Sequence, residues 1–179
     1  MKKTLLLTVV LVLGATMAFA QNGSIGIFAD NLGQSCTLQD TGTATYYFLH
    51  VNAIGATASQ WAAPKPACLT GVRLADLPVF AINLGNTEAG VTVGYGICKV
   101  GTFHIMSVLY SVTSVTDCCY FPVIPDPNLP SGKIEIPDCL FNLTYGTSGK
   151  GIVNANQTCV CDVPTEDTTW GQVKALYTE

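Results

Sequence analysis

The stretch Val91-Thr92-Val93-Gly94-Tyr95-Gly96-Ile97-Cys98 decides the fold class of this chain. Every second residue in it is apolar, so these residues share one face of a β-strand, in which side chains alternate with a period of two. The opposite face carries small residues, which allows another backbone to approach closely or a disulfide to form at Cys98. The stretch therefore predicts a half-buried strand beside a covalent bridge.

The same alternation recurs on both sides of this stretch. Residues 45–51 and 133–136 alternate, and residues 103–112 are apolar on both faces, as in a central strand. Weaker strand candidates are residues 24–29, 57–63, 77–82, 141–145 and 151–154, and they are separated by predicted turns at 31–33, 84–86, 125–128 and 146–149. Some eight or nine short strands with almost no helical periodicity predict an all-β fold, an antiparallel β-sandwich with a closed barrel as the alternative.

Composition narrows the class of protein. The 179 residues are 49% hydrophobic and 11% charged, whereas a typical soluble domain has about 25% charged residues. Twelve acidic residues against eight basic ones argue against a nucleic-acid partner. After residue 20 no apolar run approaches the ~20 residues of a membrane-spanning helix. We therefore expect no transmembrane segment in the mature chain.

The chain is predicted to have three parts. Residues 1–20 have the three regions of a signal peptide, cleaved near Ala20. These are the basic Lys2 and Lys3, the apolar residues 5–13, and the cleavage motif Ala18-Phe19-Ala20. Residues 21–163 are predicted to form a disulfide-stapled β-sandwich domain, and residues 164–179 a C-terminal tail. The expected location is secreted, periplasmic or on the cell surface.

The cysteines are interpreted as disulfide staples. All eight follow the predicted cleavage site: Cys36, Cys68, Cys98, Cys118, Cys119, Cys139, Cys159 and Cys161. An even number in an exported chain favours four disulfides, and zinc is disfavoured because no C-x2-C pair occurs. Adjacent Cys118 and Cys119 point to opposite faces of a strand, so they cannot bond to each other. We expect a Cys36–Cys68 bridge, with Cys118 and Cys119 reaching different partners among Cys98, Cys139, Cys159 and Cys161.

The tail is predicted to contain a short amphipathic helix. Thr169 and Gln172 fit a capping box, and one apolar stripe follows, formed by Trp170, Val173, Leu176 and Tyr177. A helix of two turns is unstable alone. The stripe is therefore expected to dock, either on its own domain or on another protein, with a disordered tail as the third alternative.

Four motifs carry a resemblance to known sequences: residues 26–30 followed by Cys36, residues 55–61, residues 122–128, and the tail Thr169-Trp170-Gly171-Gln172-Val173-Lys174-Ala175-Leu176-Tyr177. Together they resemble uncharacterised secreted cysteine-rich β-sandwich proteins of environmental bacteria. The first half is also similar to cohesin-type sandwiches, which are binding modules of immunoglobulin-like architecture. The resemblance implies a secreted sandwich and adds no catalytic residue.

The sequence predicts no catalytic residue. It has no G-x-S-x-G motif. Its two histidines, His50 and His104, both lie in predicted strands, where adjacent strands could bring them into one site. No cofactor is expected apart from calcium, which the turns could bind. The candidate calcium ligands are turn residues with oxygen side chains, namely Asp30, Asn31, Asp40, Asp126 and Asn128.

The predicted function is that of an exported, non-enzymatic binding or structural module with a protein or carbohydrate ligand. Tyr46, Phe48 and Trp61 are candidate anchors or, alternatively, core residues. The first alternative is a subunit of an extracellular assembly that uses an edge strand or the C-terminal helix. The second alternative is a metal-dependent or hydrolytic extracellular enzyme. The sequence leaves the oligomeric state open.

Overall fold

The computed structural model describes residues 21–159. Within this range it contains two β-sheets and no helix, so no helix there could cross a membrane. The strands are β1 (Gln21–Phe28), β2 (Thr37–Leu38), β3 (Gly42–Trp61), β4 (Leu69–Pro78), β5 (Ile82–Asn86), β6 (Gly90–Val115), β7 (Cys119–Pro122), β8 (Ile134–Pro137), β9 (Leu143–Ser148) and β10 (Lys150–Val153). The predicted all-β fold with disulfides is confirmed for these residues. The predicted signal peptide, and the predicted C-terminal helix with Trp170, Val173, Leu176 and Tyr177, lie outside them.

Two long antiparallel strands form the spine of the larger sheet. β3 has 20 residues and β6 has 26, and their pairing runs from Gly42 opposite Val112 to Trp61 opposite Val91. Each joins two segments that the sequence predicts as separate strands. The alternation breaks between those segments because the pairing shifts register there, so a period-two pattern cannot detect the continuity.

The remaining strands extend this pair. The larger sheet has the order β1-β9-β8-β3-β6-β4, with β5 also on β6 and β1 also on β3, and the smaller sheet has the order β2-β10-β7. The prediction of a purely antiparallel arrangement is wrong, because β1 pairs with β9 and β10 pairs with β2 in parallel. The turns predicted at 84–86 and 146–149 are also wrong. Residues 84–86 lie in β5, and β9 continues to Ser148.

Residues from both sheets share one hydrophobic core. Phe121 of the smaller sheet packs edge-on against Tyr46 and Tyr110 of the larger one, with ring centroids 5.8 Å apart in both pairs. Phe48 stacks on Trp61 at 4.8 Å. All five rings are at least 99% buried. The core interpretation of Tyr46, Phe48 and Trp61 is therefore correct, and their interpretation as exposed binding anchors is wrong.

Two disulfides tie loops to the sheets, and a third joins two loops. The described bridges are Cys68–Cys119, Cys98–Cys139 and Cys118–Cys159. The predicted Cys36–Cys68 bridge is wrong, because Cys68 bonds to Cys119. Cys118 and Cys119 do reach different partners, as predicted. Closing loops of 41–51 residues stabilises a fold by about 3–4 kcal/mol per bridge in the chain-entropy model.

We predict the complete disulfide map from this arrangement. Cys36 is disulfide-bonded, and the three described bridges use six of the other seven cysteines, which leaves Cys161. Peptide mass mapping of the unreduced protein should find Cys36–Cys161 together with the three described bridges. Detection of a Cys36–Cys68 peptide, or of a free thiol, would contradict this map.

Candidate functional site

The middle of the β3–β6 pair is interrupted. Between Phe48 and Ala58 the register shifts four times. Asn52, Gly55, Gly96 and Gly101 take positive φ angles of 53°, 149°, 75° and 80° in this region, a backbone conformation that glycine adopts freely and asparagine tolerates. These bends make the pairing of residues 52–55 with 96–101 irregular, although Ala53 still pairs with Gly101.

A buried polar cluster supports the interruption from inside. The Asn22 side chain donates to the Gly55 carbonyl at 2.6 Å and accepts from the Ile54 amide at 3.0 Å. The Asn22 carbonyl lies 2.8 Å from His50 Nε2, and a carbonyl can only accept, so Nε2 carries the proton. Nδ1 then accepts from the Tyr95 hydroxyl at 3.0 Å. Asn22 and His50 are fully buried, and this cluster satisfies their polar atoms.

The cluster holds His50 in its neutral form. Burial lowers the pKa of His50, and the hydrogen bond to the Asn22 carbonyl offsets this in part. Phe103 packs 5.3 Å from the imidazole between ring centroids. Burial also raises the pKa of Tyr95, so its hydroxyl stays protonated and able to donate. We interpret the cluster as structural.

A tight turn over residues 138–142 faces the interruption from the β8–β9 connection. The Asp138 carboxylate accepts from the Leu140 and Asn142 amides, each at 2.8 Å, and from the Asn142 side chain at 3.0 Å. These hydrogen bonds, led by that from the Asn142 side chain, lower the pKa of Asp138. The Cys98–Cys139 bridge joins the turn to β6, with 5.2 Å between the two Cα atoms.

The meeting of these three segments leaves apolar side chains exposed. We call this surface the apolar cap, and it consists of Ile54, Ile97, Val100, Leu140, Phe141 and Leu143. Their exposure ranges from 50% at Leu143 to 81% at Phe141. A groove lined by Ile54, Cys139, Leu140 and Thr144 lies between the β3 segment and the turn over residues 138–142. Contiguous exposed apolar surface of a few hundred Å² on a soluble domain usually marks a binding site.

Phe141 is the most unusual residue of the cap. Its φ angle is 64°, in the left-handed region where a bulky side chain costs about 1–2 kcal/mol. The side chain is 81% exposed, so packing within the domain recovers little of this cost. Strained backbone of this kind concentrates at functional sites.

A second set of exposed apolar residues follows the β4–β5 side of the larger sheet. We call it the apolar edge, and it consists of Val72, Leu74, Leu77, Val79, Ile82 and Leu84. Among the described strands, β4 and β5 pair with β6 on one side alone. β4 has register shifts near Gly71 and Leu74 and ends in Pro78. Such features hinder pairing with another strand.

The structure separates the predicted metal and catalytic candidates. His50 lies opposite Phe103 inside the fold, whereas His104 lies opposite Leu49 and contacts Tyr47 on the other face of the sheet. The hypothesis of a shared histidine site is therefore wrong. Among residues 21–159 no three His, Cys, Asp or Glu side chains are placed to hold a metal ion together.

The calcium candidates serve as loop caps. The Asp30 carboxylate accepts from the amides of Leu32, Gln34 and Ser35, and these hydrogen bonds lower its pKa although burial opposes them. Asp126 accepts from Gln60 and Asn128. The two carboxylates thus stabilise separate turns. Calcium binding at Asp30, Asn31, Asp40, Asp126 or Asn128 stays a prediction.

A larger groove of about 500 Å³ lies beside β1. Phe28, Cys36, Val51 and Lys150 are among its lining residues.

The chain matches no known family model and no curated protein. Solved structures with a similar fold include two cohesins and a bacterial hydrophobin. A cohesin module from a family 33 glycoside hydrolase of Clostridium perfringens has 5% identity and a TM-score of 0.49, over 76% of this chain and 100% of the other. A non-cellulosomal cohesin from Archaeoglobus fulgidus has 14% identity and a TM-score of 0.47, over 73% and 91%. The bacterial hydrophobin BslA has 12% identity and a TM-score of 0.39, over 77% and 99%.

At these identities the similarity concerns the fold alone. The weak likeness to cohesins that the sequence predicts is present at this level. The resemblance to secreted proteins of environmental bacteria stays a prediction.

The buried His50 predicts a pH-dependent stability. Its pKa is lower in the folded than in the unfolded chain, where it is about 6.5. The unfolded chain therefore binds a proton more readily, and stability falls as the pH drops below about 6.5, by at most about 1.4 kcal/mol per pH unit. Urea unfolding at pH 7 and pH 5 should show a larger loss for the native chain than for His50→Gln.

His104 provides the matched control for this experiment. Its pKa is also lowered by burial, but the side chain is on the other sheet face and only half-buried. His104→Gln should retain most of the native pH dependence. Equal losses in the native chain and in His50→Gln would show that His50 does not titrate as we describe.

Proposed function

We propose that this chain is an exported, non-enzymatic binding module, built as a β-sandwich, whose binding surface is the apolar cap. The observation that carries the proposal is Phe141, which is 81% exposed at a positive φ angle. For folding alone, glycine or asparagine would suit this position better than phenylalanine. A binding role for the ring accounts for its presence.

The construction of the cap supports a binding role. The Cys98–Cys139 bridge and the hydrogen bonds of Asp138 fix the turn on which Leu140 and Phe141 lie. A turn whose backbone is already ordered loses less conformational entropy when it binds. The cap is therefore preorganised for contact with a ligand.

The arrangement of polar groups favours binding over catalysis. The histidines lie on opposite faces of the sheet, and the Asp30, Asp126 and Asp138 carboxylates are engaged in turns. A hydrolase needs a nucleophile, a base and an orienting group within hydrogen-bond reach of one another. The exposed apolar cap needs no such groups.

Export is supported by the disulfides. Three bridges lie within residues 21–159, and such bonds persist in oxidising compartments. The signal-peptide pattern in residues 1–20 gives a route to such a compartment.

The binding role can be tested with a fluorescent apolar probe, anilinonaphthalene sulfonate, titrated into the folded protein. We expect Leu140→Gln to weaken probe binding by about tenfold, because it removes most of one exposed leucine from the cap. The matched control is Leu32→Gln, since Leu32 is 68% exposed but lies beyond the end of β1 that is remote from the cap. Equal probe binding by the two variants would refute the cap as the binding surface.

A second candidate function is favoured by the apolar edge. Six exposed aliphatic side chains along β4 and β5 suit lateral contact with another subunit. This would make the chain a subunit of an extracellular assembly. The register shifts and Pro78 favour side-chain contact over continuation of the sheet.

Sedimentation velocity across a range of protein concentrations tests the assembly function. If the apolar edge is an interface, the native chain should associate, and Leu77→Lys should shift it towards monomer because a charge would be buried. Thr43→Lys is the control, since Thr43 is exposed on the inner strand β3 of the same sheet. A native chain that is monomeric at every concentration argues against this function.

A further inference from the structure

We infer that the groove beside β1 is the docking site of this chain's own C-terminal tail, residues 162–179. The inference stands apart from the proposed function, because none of the residues lining the groove belongs to the apolar cap. It assigns the predicted apolar stripe of the tail to one surface of its own domain. The construction of the groove, the disulfide in its wall and the length of chain beyond that disulfide all support this assignment.

The wall of the groove is formed by one face of the β1–β3 pair. Ser24 lies directly opposite Val51 in the pairing, and Phe28 is on the same face as Ser24 because alternate residues of a strand share a face. Phe28, Cys36 and Val51 belong to a hydrophobic cluster that is separate from the main core. All four residues line the groove, whose volume is about 500 Å³. Apolar side chains therefore form part of its wall.

A disulfide anchors the start of the tail in this wall. Cys36 is disulfide-bonded, and the three described bridges use every other cysteine except Cys161. The Cys36–Cys161 bridge that we predict on this ground holds the chain at the groove. The tail therefore begins beside the surface to which we assign it.

The hydrogen bonds around β10 agree with this pairing. The Cys36 carbonyl accepts from the Ile152 amide at 2.9 Å, and the Cys118 amide donates to the Asn154 carbonyl at 3.0 Å. The two cysteines thus lie beside positions that are two residues apart in one segment. Their disulfide partners are also two residues apart in the sequence, so that short stretch of chain can reach both sulfur atoms.

The tail is long enough to return to the groove in which it is anchored. The apolar stripe begins at Trp170, nine residues after Cys161, and an extended chain of that length spans up to about 30 Å. A short tether holds its two ends at an effective concentration of roughly millimolar. A contact too weak to join two separate molecules is therefore sufficient to dock the stripe.

The size of the groove suits the side chains of the stripe. A cavity of about 150 Å³ holds one benzene molecule, so the groove has room for roughly three side chains of ring size. The stripe offers two aromatic and two aliphatic side chains, namely Trp170, Val173, Leu176 and Tyr177. A helix of two turns is stable only when its apolar face is packed. Docking in the groove supplies that packing.

Charge favours the same arrangement. Lys150 is the one charged residue among the described residues that line the groove, and its side chain is exposed. The tether, residues 162–169, carries three acidic residues and no basic one. The attraction between exposed charges of opposite sign is small, but it acts in the direction of docking.

The test uses the fluorescence of Trp170 in the full chain. The other tryptophan, Trp61, is fully buried, so the native spectrum minus that of Trp170→Phe isolates the emission of Trp170. We expect this emission to be shifted to shorter wavelength than that of tryptophan in water. Acrylamide should quench it several-fold less than it quenches N-acetyltryptophanamide.

A groove-filling variant, Ser24→Phe, should release the tail. Relative to its own Trp170→Phe counterpart, it should show quenching close to that of the free compound. Tryptic cleavage after Lys174 should accelerate about fivefold, because a filled groove disfavours the docked state by a factor of that order. The matched control is Ser114→Phe, since Ser114 is exposed near the end of β6, opposite Thr70. It should keep the native quenching and cleavage rate.

A variant of the tail gives the same test without a change in residues 21–159. Leu176→Gln removes one apolar side chain from the stripe and should increase the quenching of Trp170, as Ser24→Phe does. Urea unfolding of each variant establishes that the domain is folded. If Ser24→Phe does not fold, Leu176→Gln decides the outcome.

Three results would overturn the inference. In the first, acrylamide quenches Trp170 of the native chain as readily as the free compound, so the tail is undocked. In the second, folded Ser24→Phe keeps the native protection, so the tail docks elsewhere. In the third, protection appears only as the protein concentration rises, so the groove takes the tail of a second copy. The probe titration of the apolar cap tests the proposed function separately from all three.

Discussion

The structure depends on the interruption in the pairing of β3 with β6. Two strands of 20 and 26 residues pair along most of their length, and polar backbone groups lose their regular partners wherever the register shifts. Buried Asn22 satisfies the backbone of Ile54 and Gly55 at that point, and His50 and Tyr95 complete the cluster. Because an unpaired buried polar group costs about 1–3 kcal/mol, this cluster is what makes the interruption stable.

The interruption also connects the interior of the protein to its surface. Ile54, Ile97 and Val100 are exposed within the irregular pairing, and the Cys98–Cys139 bridge joins β6 to the turn that holds Leu140 and Phe141. The irregular strand pairing thus lies between two features: the buried polar cluster stabilises it from inside, and the apolar cap is exposed outside it.

The sequence predicts the elements of the fold better than it predicts the site. Alternation identifies the regular halves of β3 and β6, and the even number of cysteines indicates disulfides. Alternation cannot reveal the site, because apolar residues of the cap follow the same alternation as core residues. Ile97 continues the apolar face of Val93 and Tyr95, yet only Val93 and Tyr95 are buried. Two sequence features indicate the site. Gly96 and Gly101 lie on either side of Cys98, and the turn-forming residues Asp138 and Asn142 enclose Leu140 and Phe141. The role of Asn22 depends on hydrogen bonds to Gly55, Ile54 and His50, which are far from it in the chain, so no local sequence pattern predicts it.

The central claim is that the cap is an ordered surface held locally by Cys98–Cys139 and Asp138, upon a sheet that folds independently of it. Hydrogen–deuterium exchange of the native chain and of the Cys98→Ser/Cys139→Ser double variant tests this claim most directly. We predict that exchange rises in residues 96–101 and 138–143 of the variant, while residues 43–48 and 106–112 of the β3–β6 pair keep their native protection. A uniform rise along both strands, or no change at residues 138–143, would contradict it.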